Sequence, residues 1–428
     1  MGKISKIWAR EIIDSRAIPT VETAVQLDTG LVSVASVPSG TSTGKYESVE
    51  FRDRDEKRFL GQGVLGACAN VNEKIAPLLL GSDPVNQFEI DRKMIALDAS
   101  ANKSNLGANA ILSVSLAVAK AGAQAAGTSF YNWFYQLANA LKAVAEGSPK
   151  RVPTPIFNMI NGGLHGAGNL DFQEFHIIPA TSKPYAEGLR GGVEIYHFLE
   201  KALVRRGAIH SVGDEGGYAP NLFTNADALE INVEAVTTSG YQIGQDFFLG
   251  LDVAANSFYK DGNYSIRDKS NPLNAQSLIS FYEALNKEYR LTLLEDPLEE
   301  DDWEGWTEAT ARLGDKLLLV GDDLLATNPQ RVEKAITAKS CNSILVKPNQ
   351  IGTVTETLEV IKLARSAGWR IIVSHRSGET NDWVIADFAV GVKADFVKFG
   401  APARGERVAK YNRLLSIEAE LGAIRSEK

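Results

Sequence analysis

The chain has only two cysteines, Cys68 and Cys341, and neither belongs to a Cys-x-x-Cys pair. That excludes a disulfide framework and a thiolate zinc site, and it fits a reducing compartment. The N-terminus, Met1-Gly-Lys-Ile-Ser-Lys6, lacks the apolar core of a secretory signal. Gly2 meets the first requirement of a myristoylation motif, but Lys6 stands where the motif needs Ser or Thr. Long hydrophobic runs are missing too. The most apolar stretch, 108–126, is interrupted by Lys120 and is rich in alanine and serine. It reads as a buried helix and not as a membrane span. Charge of one sign is in small excess. A net charge of −8 over 428 residues leaves no broad cationic face for nucleic acid or an anionic membrane. A small anionic substrate stays possible, because a local cationic pocket overrides a weak global charge. The expectation is a soluble, cytoplasmic protein.

What is present divides into two parts, as the length requires. Segments 21–27 and 31–37 alternate apolar and polar residues with period two, and Asp28-Thr-Gly30 between them is a hairpin signal. Three helical stretches follow, ending in the alanine-rich one. Residues 1–140 therefore read as an α+β domain. Segment 146–155 concentrates Pro, Gly and charge and marks a boundary. Beyond it, short apolar runs alternate with helical stretches from 247 to 421. Such repetition gives a parallel sheet, and the number of repeats favours a barrel over 141–428. The fold class is α/β.

Charged residues fall at the ends of those apolar runs. The run ends are Asp252, Glu295, Asp322 with Asp323, Lys347, His375 with Arg376, and Lys398. Strands buried on both faces tolerate such groups only at their ends. In a barrel those ends open onto one face, where active sites of such barrels lie. A lone Asp at a strand end is usually a cap or turn residue. Successive acidic ends repel one another unless a cation intervenes. Their hard oxygens suit Mg²⁺ or Mn²⁺ better than zinc. A plain ion-pair network with Lys347 and Lys398 is the alternative. Gly61-Gln-Gly-Val-Leu-Gly66 follows a charged stretch and not a buried strand, so it lacks the context of a dinucleotide fingerprint. His176, His197 and His210 have no ligand-like spacing and read as structural. His165, in a glycine-rich loop, is the better candidate.

Several segments resemble the enolase family along almost the whole chain. They are Arg10-Glu-Ile-Ile-Asp-Ser-Arg16, Asn102-Lys-Ser-Asn-Leu-Gly-Ala-Asn-Ala-Ile-Leu112, Gly213-Asp-Glu-Gly-Gly217, Asn349-Gln-Ile-Gly352, Ser374-His-Arg-Ser-Gly-Glu-Thr380 and Gly400-Ala-Pro-Ala-Arg404. The resemblance implies an N-terminal α+β domain and a modified TIM-type barrel, ββαα(βα)₆. It implies dehydration of 2-phosphoglycerate to phosphoenolpyruvate with two Mg²⁺ per site. Asp252, Glu295 and Asp322 would hold the first ion. The second would arrive with the substrate and meet Ser42 in the loop Ser39-Gly-Thr-Ser-Thr-Gly44. Lys347 would be the general base, and Glu215 with Glu174 the general acid. His375 and His165 would line the pocket beside Gln173. Arg376 and Ser377 would grip the phosphate and Lys398 the carboxylate. A homodimer or larger homo-oligomer is implied as well.

The chain also departs from the family pattern. Ala17 and Ile18 follow Arg16, and Thr41 stands where Ala is usual. Asn256-Ser257 replaces Ser-Glu. Asn381, Trp383 and Phe399 replace smaller or acidic residues, and the usual Tyr-Ala-Gly tail is absent. Phe399 and Trp383 mark either an altered pocket periphery or, as the preferred reading, compensated packing behind the site with the substrate unchanged. An enolase relative of phosphonate biosynthesis, such as carboxyphosphonoenolpyruvate synthase, is the alternative activity. Racemase-type relatives fit less well, since no Lys-x-Lys pair occurs. A scaffold or plasminogen-binding role is the non-enzymatic alternative, with Lys428 its sole support.

Overall fold

The computed structural model describes residues 2–40, 44–166 and 170–426. The N-terminal part opens with an antiparallel sheet of β1 (Ile4–Ile13), β2 (Pro19–Leu27) and β3 (Val32–Ser36) in that order. Gly30 turns the β2–β3 hairpin at φ +89°, a conformation that favours glycine. The alanine-rich helix Ala108–Ala125 lies on this sheet, and Ala108–Ala123 are all buried. Its small residues permit close approach, and the hydroxyls of Thr23 and Ser113 meet at 2.6 Å in the interface. Lys120 is satisfied inside the apolar surroundings by the Val34 carbonyl and the Asp382 carboxylate, each at 2.8 Å. No single helix among the described residues is long and apolar enough to cross a membrane.

The helices do not end with the alanine-rich one. Phe130–Ala140 forms a further helix, set off by Gly127 at φ +63°. Its aromatic face packs against the barrel helix Val384–Gly391, with the rings of Phe134 and Phe388 edge to face at 5.3 Å.

The second part is a closed barrel. Its strands are β4 (Thr154–Asn161), β5 (Glu174–Pro179), β6 (Phe247–Asp252), β7 (Leu291–Glu295), β8 (Leu318–Gly321), β9 (Ser343–Val346), β10 (Arg370–Ser374) and β11 (Phe396–Lys398). They follow one another around the ring, and β11 pairs with β4. β5 runs antiparallel to both neighbours, while the remaining pairs are parallel. Two helices, Tyr185–Arg205 and Asn225–Thr238, separate β5 from β6, and six βα units follow. The topology is ββαα(βα)₆. Alternate side chains face opposite ways. Ile156, Ile178, Leu293, Val320, Leu345, Ile372 and Phe396 fill the barrel interior. Phe157, Phe175, Ile177, Leu294, Ile344 and Ile371 join the outer core under the helices. The interior layer closes the barrel from below, so polar side chains gather above it.

For Phe399 and Trp383 the structure supports packing over an altered pocket periphery, since neither lines the cavity. Lys398 points inward, so its neighbour Phe399 points outward. Phe399 is fully buried in the outer core, 6.2 Å from the ring of Tyr411 on the helix Gly405–Ser426. Trp383 packs 5.5 Å from Phe130 under the ammonium of Lys120 and the guanidinium of Arg413. Both are packing residues. Phe399→Thr should lower unfolding stability by about 3 kcal/mol or more through the cavity it leaves. Denaturant titration checks the loss, and an unchanged KM for the substrate checks that the pocket is untouched.

Candidate active site

Strand register assembles the site. Glu174 opposes Asp252 across β5 and β6, and Asp252 opposes Glu295 across β6 and β7. Glu174 begins its strand, yet it reaches the same rim because β5 is antiparallel. Asp322 follows β8, Lys347 follows β9, and Ser374 opposes Lys398 at the ends of β10 and β11. These ends open into a cavity of about 450 Å³. His165, Gln173, Glu174, Glu215, Asp252, Asp322, Lys347, His375, Arg376, Ser377 and Lys398 all line it. Glu295 lies buried beside it and is reached through Lys398. Ser42 lies outside the described residues.

On one side the carboxylates crowd. Lys398 donates to Asp252 Oδ2 at 2.9 Å and to the two oxygens of Glu295 at 2.9 and 3.0 Å, and it lies 3.3 Å from Glu174. Burial opposes its charge, but Asp252, Glu174 and Glu295 outweigh burial and hold the ammonium protonated. Lys347 pairs with Asp322 Oδ2. Burial pushes Lys347 down as well, and the Asp322 carboxylate more than restores it, so its pKa lies above the ordinary value. The ion pairs that the sequence allowed are therefore present, but they do not neutralise the group. Burial and the charge of Asp252 push Glu295 well up, and burial with Asp322 lifts Asp323 to about 7.

Oxygens of Glu295, Asp296 and Asp322 lie within 4.8 Å of one another. Asp296 was not picked out from the sequence. Its carboxylate accepts the backbone N–H groups of Asp322 at 3.0 Å and Asp323 at 2.8 Å, so it orients the loop after β8. The donor set is hard, anionic, buried and under-neutralised, which fits Mg²⁺.

A second group gathers around Glu215. His165 Nδ1 lies 3.3 Å from Glu174 and 3.6 Å from Glu215. Asn158 donates to Glu215 Oε2 at 3.2 Å, and His375 Nε2 lies 3.2 Å from the same oxygen. Arg407 fixes the tautomer of His375. Its guanidinium has no acceptor, so His375 Nδ1 accepts from it at 2.7 Å and the ring proton of neutral His375 sits on Nε2. Burial, aided by Arg407, holds His375 below its ordinary pKa. Burial and Glu174 push Glu215 up, but His375 and His165 outweigh them and hold it down at about 2. Burial opposes charge on His165, and Glu215 and Glu174 outweigh it, so this histidine is raised.

The third group binds across the two domains. Arg376 donates to Glu47 at 2.8 Å and to Asn349 at 3.3 Å. Gly40 packs so closely on Arg376 that an added Cβ would stand 1.9 Å from the guanidinium. Ser39 bridges Gly378, and Tyr46 donates to Asp301 at 2.8 Å beneath Arg331, whose guanidinium lies 3.7 Å from the ring. Both stems of loop 39–44 are thus docked on the barrel. Sequence reasoning missed Glu47, Asp296, Asn158 and Arg407. Only Asp296, directly after Glu295, carried a local signal; the others depend on partners far away in the chain.

A closed barrel with buried acids, a facing lysine and a carboxylate–histidine group at its mouth has the groups that a metal-assisted barrel enzyme needs. Residues 4–134 match the model of the enolase N-terminal domain, and residues 149–426 match that of the enolase C-terminal TIM barrel domain. The chain belongs to the enolase family. It is a Mg²⁺-dependent, enolase-type lyase for a small phosphorylated substrate.

The raised pKa of His165 predicts a pH signature in metal-free protein. Stability from its charged pairing is full below the ordinary value of 6.5 and is lost as pH rises through the raised folded value. The gap in thermal midpoint between wild type and His165→Gln should be widest in mild acid and shrink in alkali. A gap constant across that range would remove the charged pairing.

Proposed function

We propose that the chain dehydrates 2-phosphoglycerate to phosphoenolpyruvate. One observation carries the reading: the base and the acid stand on opposite walls. Lys347 follows β9 and Glu174 starts β5, four strands apart in a ring of eight. A small substrate held between them offers its α-proton to one wall and its hydroxyl to the other. Lys347 Nζ takes the α-proton. The group of Glu215, Glu174 and His165 protonates the departing hydroxide. Glu215 is itself ionised here, so the proton it passes on is stored within that group, on His165. Arg376 and Ser377 grip the phosphate, and Lys398 meets the carboxylate. Asp252, Glu295 and Asp322 would hold one Mg²⁺ and Ser42 would meet a second, and the ions would supply positive charge at the substrate carboxylate and offset the Asp322 charge that keeps Lys347 protonated. The same reading makes the chain a cytoplasmic homodimer or larger homo-oligomer.

A second reading keeps one specific support. Asn256 and Ser257, where the family usually has Ser and Glu, both line the cavity. A phosphonate-pathway paralogue such as carboxyphosphonoenolpyruvate synthase would alter such positions.

Turnover of 2-phosphoglycerate, followed by the absorbance of phosphoenolpyruvate, separates the two. The expected result is Mg²⁺-dependent product, abolished by chelator, with Asp322→Asn slower by roughly a hundredfold or more. No product from wild type with Mg²⁺ would remove the enolase reading. Lys347→Ala should also stop exchange of the substrate α-proton with solvent deuterium, whereas Glu215→Gln should still permit it. Undiminished exchange in Lys347→Ala would assign the base elsewhere.

A further inference from the structure

Beneath the cavity floor lies a polar pair that the proposed reaction leaves without a task. Asn158 on β4 and His176 on β5 are register partners. Both face into the barrel, because Phe157, Phe175 and Ile177 on either side of them face the outer core. Both are fully buried. Below them the interior is apolar, with Ile156 and Ile178 next along the same strands. A barrel layer at this level ordinarily takes branched apolar residues.

Each member of the pair holds one carboxylate of the acid group. His176 Nε2 lies 2.9 Å from Glu174 Oε2. Asn158 Nδ2 donates to Glu215 Oε2 at 3.2 Å. Their far ends, His176 Nδ1 and Asn158 Oδ1, have no hydrogen-bond partner among the described residues. Unpartnered polar atoms in a buried layer cost stability. A purely structural position would be filled more stably by an apolar side chain. On β6 the register partner of His176 is Gly250, where an added Cβ would crowd Ile178 Cδ1 at 3.2 Å and Leu293 Cβ at 3.3 Å, so the layer around the pair is tightly filled.

We propose that His176 and Asn158 are positioning residues that fix Glu174 and Glu215 from beneath. Both carboxylates are also touched from the cavity side. Glu174 meets His165 and Lys398, each at 3.3 Å, and Glu215 meets His375 at 3.2 Å. Those contacts come from residues that line the cavity, where substrate would arrive. The contacts to His176 and Asn158 lie where substrate does not reach, so they hold the carboxylates through the catalytic cycle. The donor of His176 is Nε2–H, since the ionised Glu174 carboxylate only accepts. The sequence reading of His176 as a structural residue changes accordingly.

The kinetic part of the test rests on the enolase reading, and the spectroscopic part does not. His176→Met fills the space without a donor, and His176→Gln returns an N–H near the position of Nε2. With 2-phosphoglycerate and Mg²⁺, His176→Met should lose about tenfold to a hundredfold in kcat, the usual cost of removing an outer hydrogen-bond partner. KM and α-proton exchange should stay near wild type, and His176→Gln should regain most of the lost kcat. Normal kcat in His176→Met would overturn the inference. So would equal losses in both variants accompanied by a fall in exchange, which marks a structural defect. In full-length protein labelled with ¹⁵N-histidine, the Nε2–H of His176 should appear as a slowly exchanging resonance that shifts in Glu174→Gln. Absence of that resonance, or no response to Glu174→Gln, overturns the inference whether or not 2-phosphoglycerate is turned over. A wild type that shows the resonance but does not turn over 2-phosphoglycerate removes the enolase reading alone.

Discussion

The structure depends on how excess negative charge is held at the mouth of the barrel. Asp252, Glu295, Asp322, Asp323 and Glu174 stand on neighbouring strand ends, and Lys398 reaches three of them. Lys398 belongs to β11, which lies across the ring from β7. It is a strut through the interior and not a neighbourly ion pair. Only a closed barrel brings its ammonium to Asp252 and Glu295 together. A buried pair of this kind is weak evidence of net stability, because desolvation offsets most of the attraction. Its effect is geometric: it fixes three acidic strand ends in one place, ready for a stronger cation.

The N-terminal domain completes the site without supplying its centre. Lys103 pairs with Glu356 and Lys120 with Asp382, each at 2.8 Å, and these contacts seat the α+β layer on the barrel. Glu47 then reaches Arg376 inside the cavity wall. Arg407 works from the opposite side. Its guanidinium donates to the carbonyls of Arg376 at 2.6 Å, Ser377 at 2.5 Å and Asp214 at 3.2 Å, besides His375. One buried cation therefore ties the loop that carries Arg376 and Ser377 to the loop that carries Glu215. Loops that bind and react are placed here by charges drawn from distant segments, which is why the site needs both domains.

The charged strand ends were legible because a strand buried on both faces leaves polar residues no other place. Glu174 was not legible in that way. It opens its strand, and only the reversed direction of β5 brings it to the rim, so family resemblance had to supply it. Phe399 shows the opposite case. Its nearness to Lys398 in sequence invited a pocket role, although period two already sends adjacent residues to opposite faces. Asn158, His176, Glu47 and Arg407 stayed hidden for a different reason. Their significance lies in hydrogen bonds or ion pairs to residues that only the closed ring or the domain contact brings near. The helix Phe130–Ala140 escaped because its apolar face is aromatic and short.

The protonation pattern of the structure adds a last constraint on the proposed reaction. Lys347 is held charged by Asp322, and Glu215 is held ionised by His375 and His165. Forward dehydration needs the reverse: a neutral lysine to accept a proton and a proton available near the leaving hydroxyl. The pattern seen here is the one that hydration of the product requires, with Lys347 as acid and Glu215 as base. Microscopic reversibility makes both directions pass through the same groups. Substrate and metal must therefore change the charge on both walls as they bind. Lys398 acts on both walls, since its charge lowers the pKa of Lys347, Asp322 and Glu174 alike. Drawing its ammonium away from the acids and onto a substrate carboxylate raises the pKa of Glu174 and favours a proton on the acid wall, but it raises Lys347 as well, so the base wall needs a cation that offsets Asp322. The strut that organises the resting barrel is thus a group through which substrate binding reaches the acid wall, while the state of Lys347 follows from how far the charge of Asp322 is offset.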